Sequence, residues 1–291
     1  MMHRSYAPQF KKIYIEITNI CNLQCTFCPE VERDKKVMGQ DLFSKILQEV
    51  KPLTEEICLH LMGEPLSHPH FLEILKICEE REVKINLTSN GMLLKRYAQN
   101  LIESSCINQI NFSLHSFFDN YPDKDITPYL ETIFEFSQKF RGFVNYRLWN
   151  VADNKLTNDE IINKIESYFN VTLNRNVDVS WKKSKKILNK IYLHVDMPFT
   201  WPNLKNPNLG QSGFCYGLDS HIGIHSDGTV VPCCLDKEAI VNLGSIKEKS
   251  IKEILEGERA QKIVSGFKQF RAVEELCQRC TFKSRFDKKI K

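Results

Sequence analysis

Three cysteines fall within eight residues, Cys21-Asn-Leu-Gln-Cys25-Thr-Phe-Cys28. Three thiolates on one short loop can wrap one face of a metal centre. A structural zinc site asks for four ligands, usually as two separated pairs. A [4Fe–4S] cube held by only three protein thiolates leaves one iron open to bind a substrate. Five more cysteines, Cys215, Cys233, Cys234, Cys277 and Cys280, gather towards the C-terminus, whereas Cys58, Cys78 and Cys106 stand alone in strand or helix patterns. The isolated three read as small buried hydrophobes. Eleven cysteines and no secretory h-region at the N-terminus (MMHRSYAPQFKK) point to a reducing cytoplasm, where clustered thiols are metal ligands or reactive groups rather than disulfides.

The loop that carries the triad follows a β-rich run, and the pattern repeats. Strands are expected at Lys12–Thr18, Glu56–Leu61, Val83–Thr88, Gln109–Leu114, Phe143–Asn150 and Val177–Trp181, with a helical pattern after each of the first five. The first helix has Leu42, Phe43, Ile46, Leu47 and Val50 on one face and stops at Pro52. The second starts near Ser67, with Pro69 close to its first position, and buries Phe71, Leu72, Leu75 and Cys78. The third lies near Leu93–Glu103 and the fourth opens at Thr127–Pro128, while Thr157-Asn-Asp-Glu160 reads as a capping box at the start of the fifth. Six strands with five crossover helices imply a parallel α/β sheet, closed or partly closed into a (β/α) barrel. The triad then sits at the C-terminal end of the first strand, where such barrels build active sites.

The Cys-x-x-x-Cys-x-aromatic-Cys run, with Phe27 before the third cysteine, resembles the radical SAM superfamily motif residue for residue. The resemblance implies a [4Fe–4S] cluster on Cys21, Cys25 and Cys28 whose open iron is chelated by the amine and carboxylate of S-adenosylmethionine (SAM). Reductive cleavage of SAM would give a 5′-deoxyadenosyl radical that abstracts hydrogen from a substrate, with Phe27 near the adenine. Met62-Gly63-Glu64-Pro65 is similar to the family's Gly-Gly-Glu-Pro turn, which contacts the methionine amine; Met62 replaces the first glycine, and Gly63 and Glu64 remain. Thr88-Ser89-Asn90-Gly91 resembles the family's Thr-Asn-Gly turn after the third strand. Ser113 matches a polar position facing the ribose or carboxylate, and Arg147 is a candidate bidentate clamp for the SAM carboxylate. His60, His68, His70 and His115 are read as caps or surface residues, and no catalytic acid or base is assigned.

Beyond Met197–Gly210, a proline- and asparagine-rich connection, His221–Ile224 and Thr229–Val231 flank Ser226-Asp227-Gly228, a hairpin signal. A short helix is expected near Ser250–Glu256. Cys215 is followed by twelve residues, Gly228, four residues and Cys233, and a later Cys277-x-x-Cys280 completes a resemblance to the SPASM and twitch domains appended to many radical SAM enzymes. That resemblance implies one auxiliary [4Fe–4S] cluster on Cys215, Cys233, Cys277 and Cys280. Phe286 stands where a full two-cluster SPASM domain would place its next cysteine, so the shorter, twitch-like arrangement is expected. The ligand list alone allows a four-cysteine zinc knot equally, and Cys234 could exchange with Cys233.

The expected organisation is a partial (β/α)6 radical SAM barrel over 1–196, a linker over 197–210 and a small α+β twitch/SPASM-like domain over 211–291. Hydrophobic residues make up 42% and charged residues 26% of the 291, and the net charge is only +4, which neither demands nor excludes an anionic partner. No apolar run approaches the roughly 20 residues needed to cross a bilayer, so no membrane role is expected. Lys182, Lys183, Lys185, Lys186 and Lys190 form one basic run, read as a solvated surface segment, with phosphate or nucleic acid as the minority reading. A small-molecule substrate is favoured, with a peptide, protein or RNA as the alternative. A reducing partner such as flavodoxin or ferredoxin would supply electrons. The rival from another class is a non-catalytic metal-binding scaffold.

Overall fold

The computed structural model describes residues 10–149, 155–175 and 183–287. Its first half runs β1 (Lys12–Ile15), α1 (Gln40–Val50), β2 (Glu56–Cys58), α2 (Phe71–Glu80), β3 (Lys84–Ser89), α3 (Leu94–Glu103), β4 (Ile107–Ser113), α4 (Ser116–Asn120), α5 (Thr127–Lys139) and β5 (Phe143–Leu148). There follow α6 (Lys155–Phe169), β6 (Ser184–Leu188), β7 (Ile191–Val195), β8 (His221–Ile224), β9 (Thr229–Val231), β10 (Gly244–Ser245), α7 (Ile251–Glu256), α8 (Glu258–Lys268), α9 (Glu275–Gln278) and α10 (Ser284–Asp287). The fold is mixed α/β with parallel sheet. Packing divides it into two compact units. The first takes the chain up to Asn19, Val31–Met62 and everything from Phe199; the second takes Ile20–Glu30 and Gly63–Pro198.

In the first unit the strand order is β10-β9-β8-β1-β2. β1 is parallel to both β2 and β8, while β8, β9 and β10 are antiparallel. The expected hairpin is present: Gly228 turns at φ +93°, and Asp227 Oδ1 accepts the Thr229 N–H at 2.9 Å. α7 begins on a full capping box, with Ser250 and Glu253 each bonded to the other's backbone N–H. α1 buries Phe43, Ile46, Leu47 and Val50 as the periodicity requires.

The same unit holds a carboxylate with no exposure, Glu16, just past β1. Its two oxygens accept from the Arg33 guanidinium at 2.9 and 3.0 Å, from the Ser226 N–H and hydroxyl at 3.2 and 3.0 Å, and from the Met62 N–H at 3.3 Å. His225 Nδ1 lies 3.6 Å away. Arg33 is in turn fixed by Lys237 O, and the Glu238 carboxylate accepts the N–H groups of Glu32 and Arg33. One buried charge therefore ties four distant chain segments together, which is affordable only because a cation and several donors meet it.

In the second unit the order is β3-β4-β5-β7-β6, parallel from β3 to β7 and antiparallel for β6. One face is apolar (Leu87, Ile110, Phe112, Val144, Tyr146, Leu148, Leu193), covered by α5 and α6 side chains such as Phe134 and Phe169. On the other face Asn111 Nδ2 donates to Asn86 Oδ1 at 2.7 Å and Asn145 Nδ2 donates to Asn111 Oδ1 at 3.0 Å. A strand whose two faces are both covered must satisfy its polar groups laterally, and these amides do so.

Several expectations need correction. α2 starts at Phe71, not near Ser67, because Pro65–Ser67 closes first as a 3-10 turn capped by the Glu64 side chain. Leu72 is exposed and Ile74 takes the buried position. α6 begins at Lys155, ahead of the Thr157–Glu160 capping box. The expected sixth strand, Val177–Trp181, lies outside the described residues. The lysine-rich segment is not a plain surface run: β6 and β7 form a hairpin through it, turned by Asn189 at φ +45°. Alternation puts Lys185 and Lys186 on opposite faces, Lys183 pairs with Asp196 at 2.8 Å, and Lys190 donates to Arg141 O. Cys58, Cys78 and Cys106 are buried. Among the described residues no helix is long and apolar enough to cross a membrane.

Burial by itself raises the Glu16 pKa, but His225, Arg33 and the Ser226 N–H together outweigh it and hold the carboxyl below its ordinary value. Glu16 therefore contributes stability that is present above the unfolded carboxyl's pKa and lost as pH falls through the lowered folded value. Urea midpoints measured from neutral to acid pH should show a steep acid limb that Glu16→Gln flattens while lowering the neutral midpoint. An unchanged limb would show that Glu16 is not the group being titrated.

Candidate active site

The cysteine loop belongs to the second unit, and three elements of that unit hold it. Glu64 N–H donates to Ile20 O at 2.9 Å, tying the loop's start to the turn at Gly63. Gly63 sits at φ +75°, a region that side chains with a Cβ disfavour, so the turn needs glycine there. Asn90 Nδ2 donates to Asn22 Oδ1 at 2.8 Å, with Cys21 Sγ 3.9 Å away. At the loop's other end Asn120 Oδ1 accepts the Gln24 N–H at 2.8 Å, Asn120 Nδ2 donates to Cys25 Sγ at 3.3 Å, and Asp119 Oδ2 accepts from the Thr26 hydroxyl. Cys21 and Cys28 reach solvent and Cys25 is half-buried.

Glu64 is the centre of this arrangement. Its carboxylate is buried and accepts from Leu66 N at 3.0 Å, Ser89 Oγ at 2.8 Å and Asn90 N at 2.7 Å. No cation is among these partners. Burial therefore prevails over the three hydrogen bonds and pushes Glu64 up to about 7. The Asn90 turn is braced from behind: Tyr129 Oη donates to Asn90 O at 2.8 Å, and a Cβ on Gly91 would meet Ile133 at 3.0 Å and the Tyr129 ring at 3.3 Å.

The thiols are shifted the other way from what a free nucleophile needs. Partial burial, opposed by the Asn120 amide and assisted by Asp119 and Cys21, pushes Cys25 up to about 11. Burial and the neighbouring cysteines push Cys28 to about 12. Such thiols ionise on meeting a metal and release protons as they bind. Among the described residues no three His, Cys, Asp or Glu side chains converge on a point fit for one metal ion. A cube makes a different demand, because each thiolate serves its own iron. Three sulfurs on one loop, with an amide N–H already aimed at one of them, fit that group.

Ser113 and Arg147 are register partners on β4 and β5, so their side chains share the polar sheet face. The Arg147 guanidinium carbon lies 4.9 Å from the Trp149 ring centre, and Trp149 stands edge-on to Phe27 at 6.5 Å and 6.4 Å from His194. The loop aromatic and the arginine thus flank one indole. His115 is buried, with Nδ1 3.1 Å from Arg147 O, and His68 Nδ1 accepts the His70 N–H, so both histidines make local backbone bonds.

In the first unit, Cys233 is held up by burial together with the nearby thiols of Cys234, Cys215 and Cys277. Cys277 is raised by burial and by Cys215 and Cys280. Cys215, Cys233, Cys277 and Cys280 therefore sense one another electrostatically. Cys234 packs instead against an apolar cluster of Val31, Leu61, Met62 and Val231. Met62 is 7% exposed in that cluster, which explains why a bulky residue precedes Gly63. The Arg259–Glu274 pair, at 2.8 Å, braces the start of α9, which carries Cys277.

Comparison with known proteins agrees with this geometry. The radical SAM superfamily model matches residues 15–146, and an iron–sulfur cluster-binding domain, SPASM, matches residues 215–281. The chain belongs to the radical SAM superfamily. It is a radical SAM enzyme, with SAM and iron–sulfur clusters as its cofactors. A tungsten-containing aldehyde ferredoxin oxidoreductase cofactor-modifying protein of Pyrococcus furiosus is 34% identical over 29% of this chain, and the match spans only 25% of that relative. A GTP 3′,8-cyclase of Alkaliphilus oremlandii is 26% identical over 86% of this chain and 89% of its own length. Among solved structures, BtrN in complex with AdoMet and 2-DOIA has a TM-score of 0.56 at 15% identity, covering 95% of this chain and 94% of BtrN. At that identity the likeness speaks for the fold alone.

Sequence reasoning missed Asn120, Asp119, Tyr129 and Ser89. Asn120 and Cys25 are 95 residues apart, and nothing in Ser116-Phe-Phe-Asp-Asn120 marks a partner for the loop.

The raised Glu64 carboxyl carries a stability consequence. Between the ordinary carboxyl value of 4.5 and about 7 the unfolded chain has lost this proton while the folded chain keeps it. Stability from this group therefore falls as pH rises through that window and then levels. In the SAM-free protein, denaturation midpoints for Glu64→Gln should lack this decline. An equal decline in both proteins would place the titration elsewhere.

Proposed function

We propose that this enzyme cleaves SAM at a [4Fe–4S] cluster held by Cys21, Cys25 and Cys28, and that a second [4Fe–4S] cluster is held by Cys215, Cys233, Cys277 and Cys280. The observation that carries the reading is the Glu64 carboxylate, locked to the Asn90 turn while its own N–H holds the start of the cysteine loop. Cys21, Cys25 and Cys28 would hold the cluster, which when bound would supply the one-electron chemistry for reductive SAM cleavage and hydrogen abstraction from a substrate. Gly63 would let backbone approach the methionine amine, and Glu64 would accept an N–H from that iron-bound amine. Ionised Glu64 is the form that attracts it, so SAM affinity rises with pH through about 7. Asn90 orients the loop, Ser113 faces the ribose or carboxylate, Arg147 clamps the carboxylate, and Phe27 lies against the adenine with Trp149 behind it.

Four thiolates around the second cluster leave it no open iron, so its role is electron traffic. Cys215, Cys233, Cys277 and Cys280 would hold that cluster, which would supply an acceptor for the second electron of a two-electron substrate oxidation. In this reading residues 1–196 carry the radical chemistry and 211–291 the electron acceptor, joined through 197–210. A small-molecule substrate is supported by the GTP 3′,8-cyclase match over most of the chain. RNA finds less support, because the described lysines of the basic run are dispersed or already paired. Flavodoxin or ferredoxin would deliver the electron, in the cytoplasm.

Anaerobic reconstitution tests the whole reading. About eight irons per chain are expected, with SAM converted to 5′-deoxyadenosine under strong reductant. Replacing Cys21, Cys25 and Cys28 together by alanine should halve the iron and abolish the product. Retained cleavage would overturn the reading, and about four irons with one zinc would replace the second cluster by a zinc site.

A further inference from the structure

The last two residues of α4 lie against the cysteine loop with opposite electrical character. Asn120 presents an N–H to Cys25 Sγ at 3.3 Å, and its placement is fixed at both ends of the amide. Oδ1 accepts the Gln24 N–H at 2.8 Å, and Nδ2 also donates to Ser116 O at 2.9 Å. Asp119, one residue earlier, presents a carboxylate that accepts from Thr26 Oγ1 at 3.1 Å, on the other side of Cys25. A donor to Cys25 Sγ and an anion held at Thr26, the next residue of the loop, thus come from one short helix.

We propose that Asn120 and Asp119 are positioning residues that set the reduction potential of the SAM-binding cluster in opposite directions. The inference rests on the reading that Cys25 is a ligand of that cluster. A reduced cluster carries one more negative charge than an oxidised one, and part of it resides on the thiolate sulfurs. An N–H donor to Cys25 Sγ stabilises that added charge and raises the potential. The Asp119 carboxylate repels it and lowers the potential. Clipping the loop at Gln24 and Thr26 keeps both groups at a fixed distance from the sulfur, so neither effect is averaged away by loop motion.

Redox titration of the reconstituted holoenzyme, followed by electron paramagnetic resonance, tests this. The SAM-binding cluster is identified as the signal that changes when SAM is added. Asn120→Leu removes the donor without adding charge and should shift that cluster's midpoint to more negative values. Asp119→Asn keeps an acceptor for Thr26 and should shift it to more positive values. The second cluster's midpoint should stay put in both. An Asn120→Leu midpoint at or above wild type, or an Asp119→Asn midpoint at or below it, overturns the proposal. If Asn120→Leu fails to assemble the cluster, Asp119→Asn, which leaves the Asn120 clip intact, decides alone. Cys25→Ala separates the two layers: a SAM-responsive signal that survives it refutes the ligand assignment itself, whereas its loss with unshifted Asn120 and Asp119 variants refutes only the tuning.

Discussion

The second unit depends on one buried carboxylate, Glu64, met among the described residues by dipoles rather than a cation. Glu64 spends its oxygens on Leu66, Ser89 and Asn90, and its own N–H on Ile20. Each bond ends on a different piece of the site: the 3-10 turn, the end of β3, the turn beyond it and the start of the cysteine loop. Removing the carboxylate would leave buried donors unmatched, at a cost of about 1–3 kcal/mol each before any ligand is considered. Its three donors give the carboxylate hydrogen bonds but no neutralising charge, which is why burial raises its pKa.

Glu16 shows what a purely structural carboxylate looks like in the same chain. It is equally buried, yet Arg33 binds it with two N–H···O contacts and His225 stands beside it, so its pKa falls where that of Glu64 rises. Burial is common to both, and the difference lies in the counter-charge. A carboxylate closed by a cation has nothing left to offer a ligand. Through Met62 N–H, Glu16 also fixes the residue directly before Gly63.

What could be read in the chain was local. The Cys21–Cys28 spacing, Gly63-Glu64, the Gly228 hairpin and the Ser250–Glu253 box each carry their physics within a few residues, and β1 to β5 fall close to the expected runs. What could not be read was contact at long range or alternation hidden by composition. β8 lies in parallel against β1 some 200 residues earlier, and Asn120 meets a sulfur 95 residues away. The β6–β7 hairpin was concealed because lysines occupy its exposed positions. An Asn-Lys turn between Lys-Ile-Leu and Ile-Tyr-Leu was the available sign.

The choice between Cys233 and Cys234 shows how structure decides what a motif leaves open. The chain leaves β9 through Pro232 and presents two adjacent sulfurs, either of which fits the spacing. The two sulfurs lie in the bend and turn that follow β9, where their surroundings differ. Burial and the nearby thiols of Cys234, Cys215 and Cys277 raise Cys233, and Cys234 packs with Val31, Leu61 and Met62. The Cys234 side is already occupied by apolar groups that stabilise the Met62–Gly63 turn. Exchanging the two sulfurs would bury a thiolate among hydrocarbons and empty a packed position at once. That packing, rather than the spacing, is what sets the two sulfurs apart.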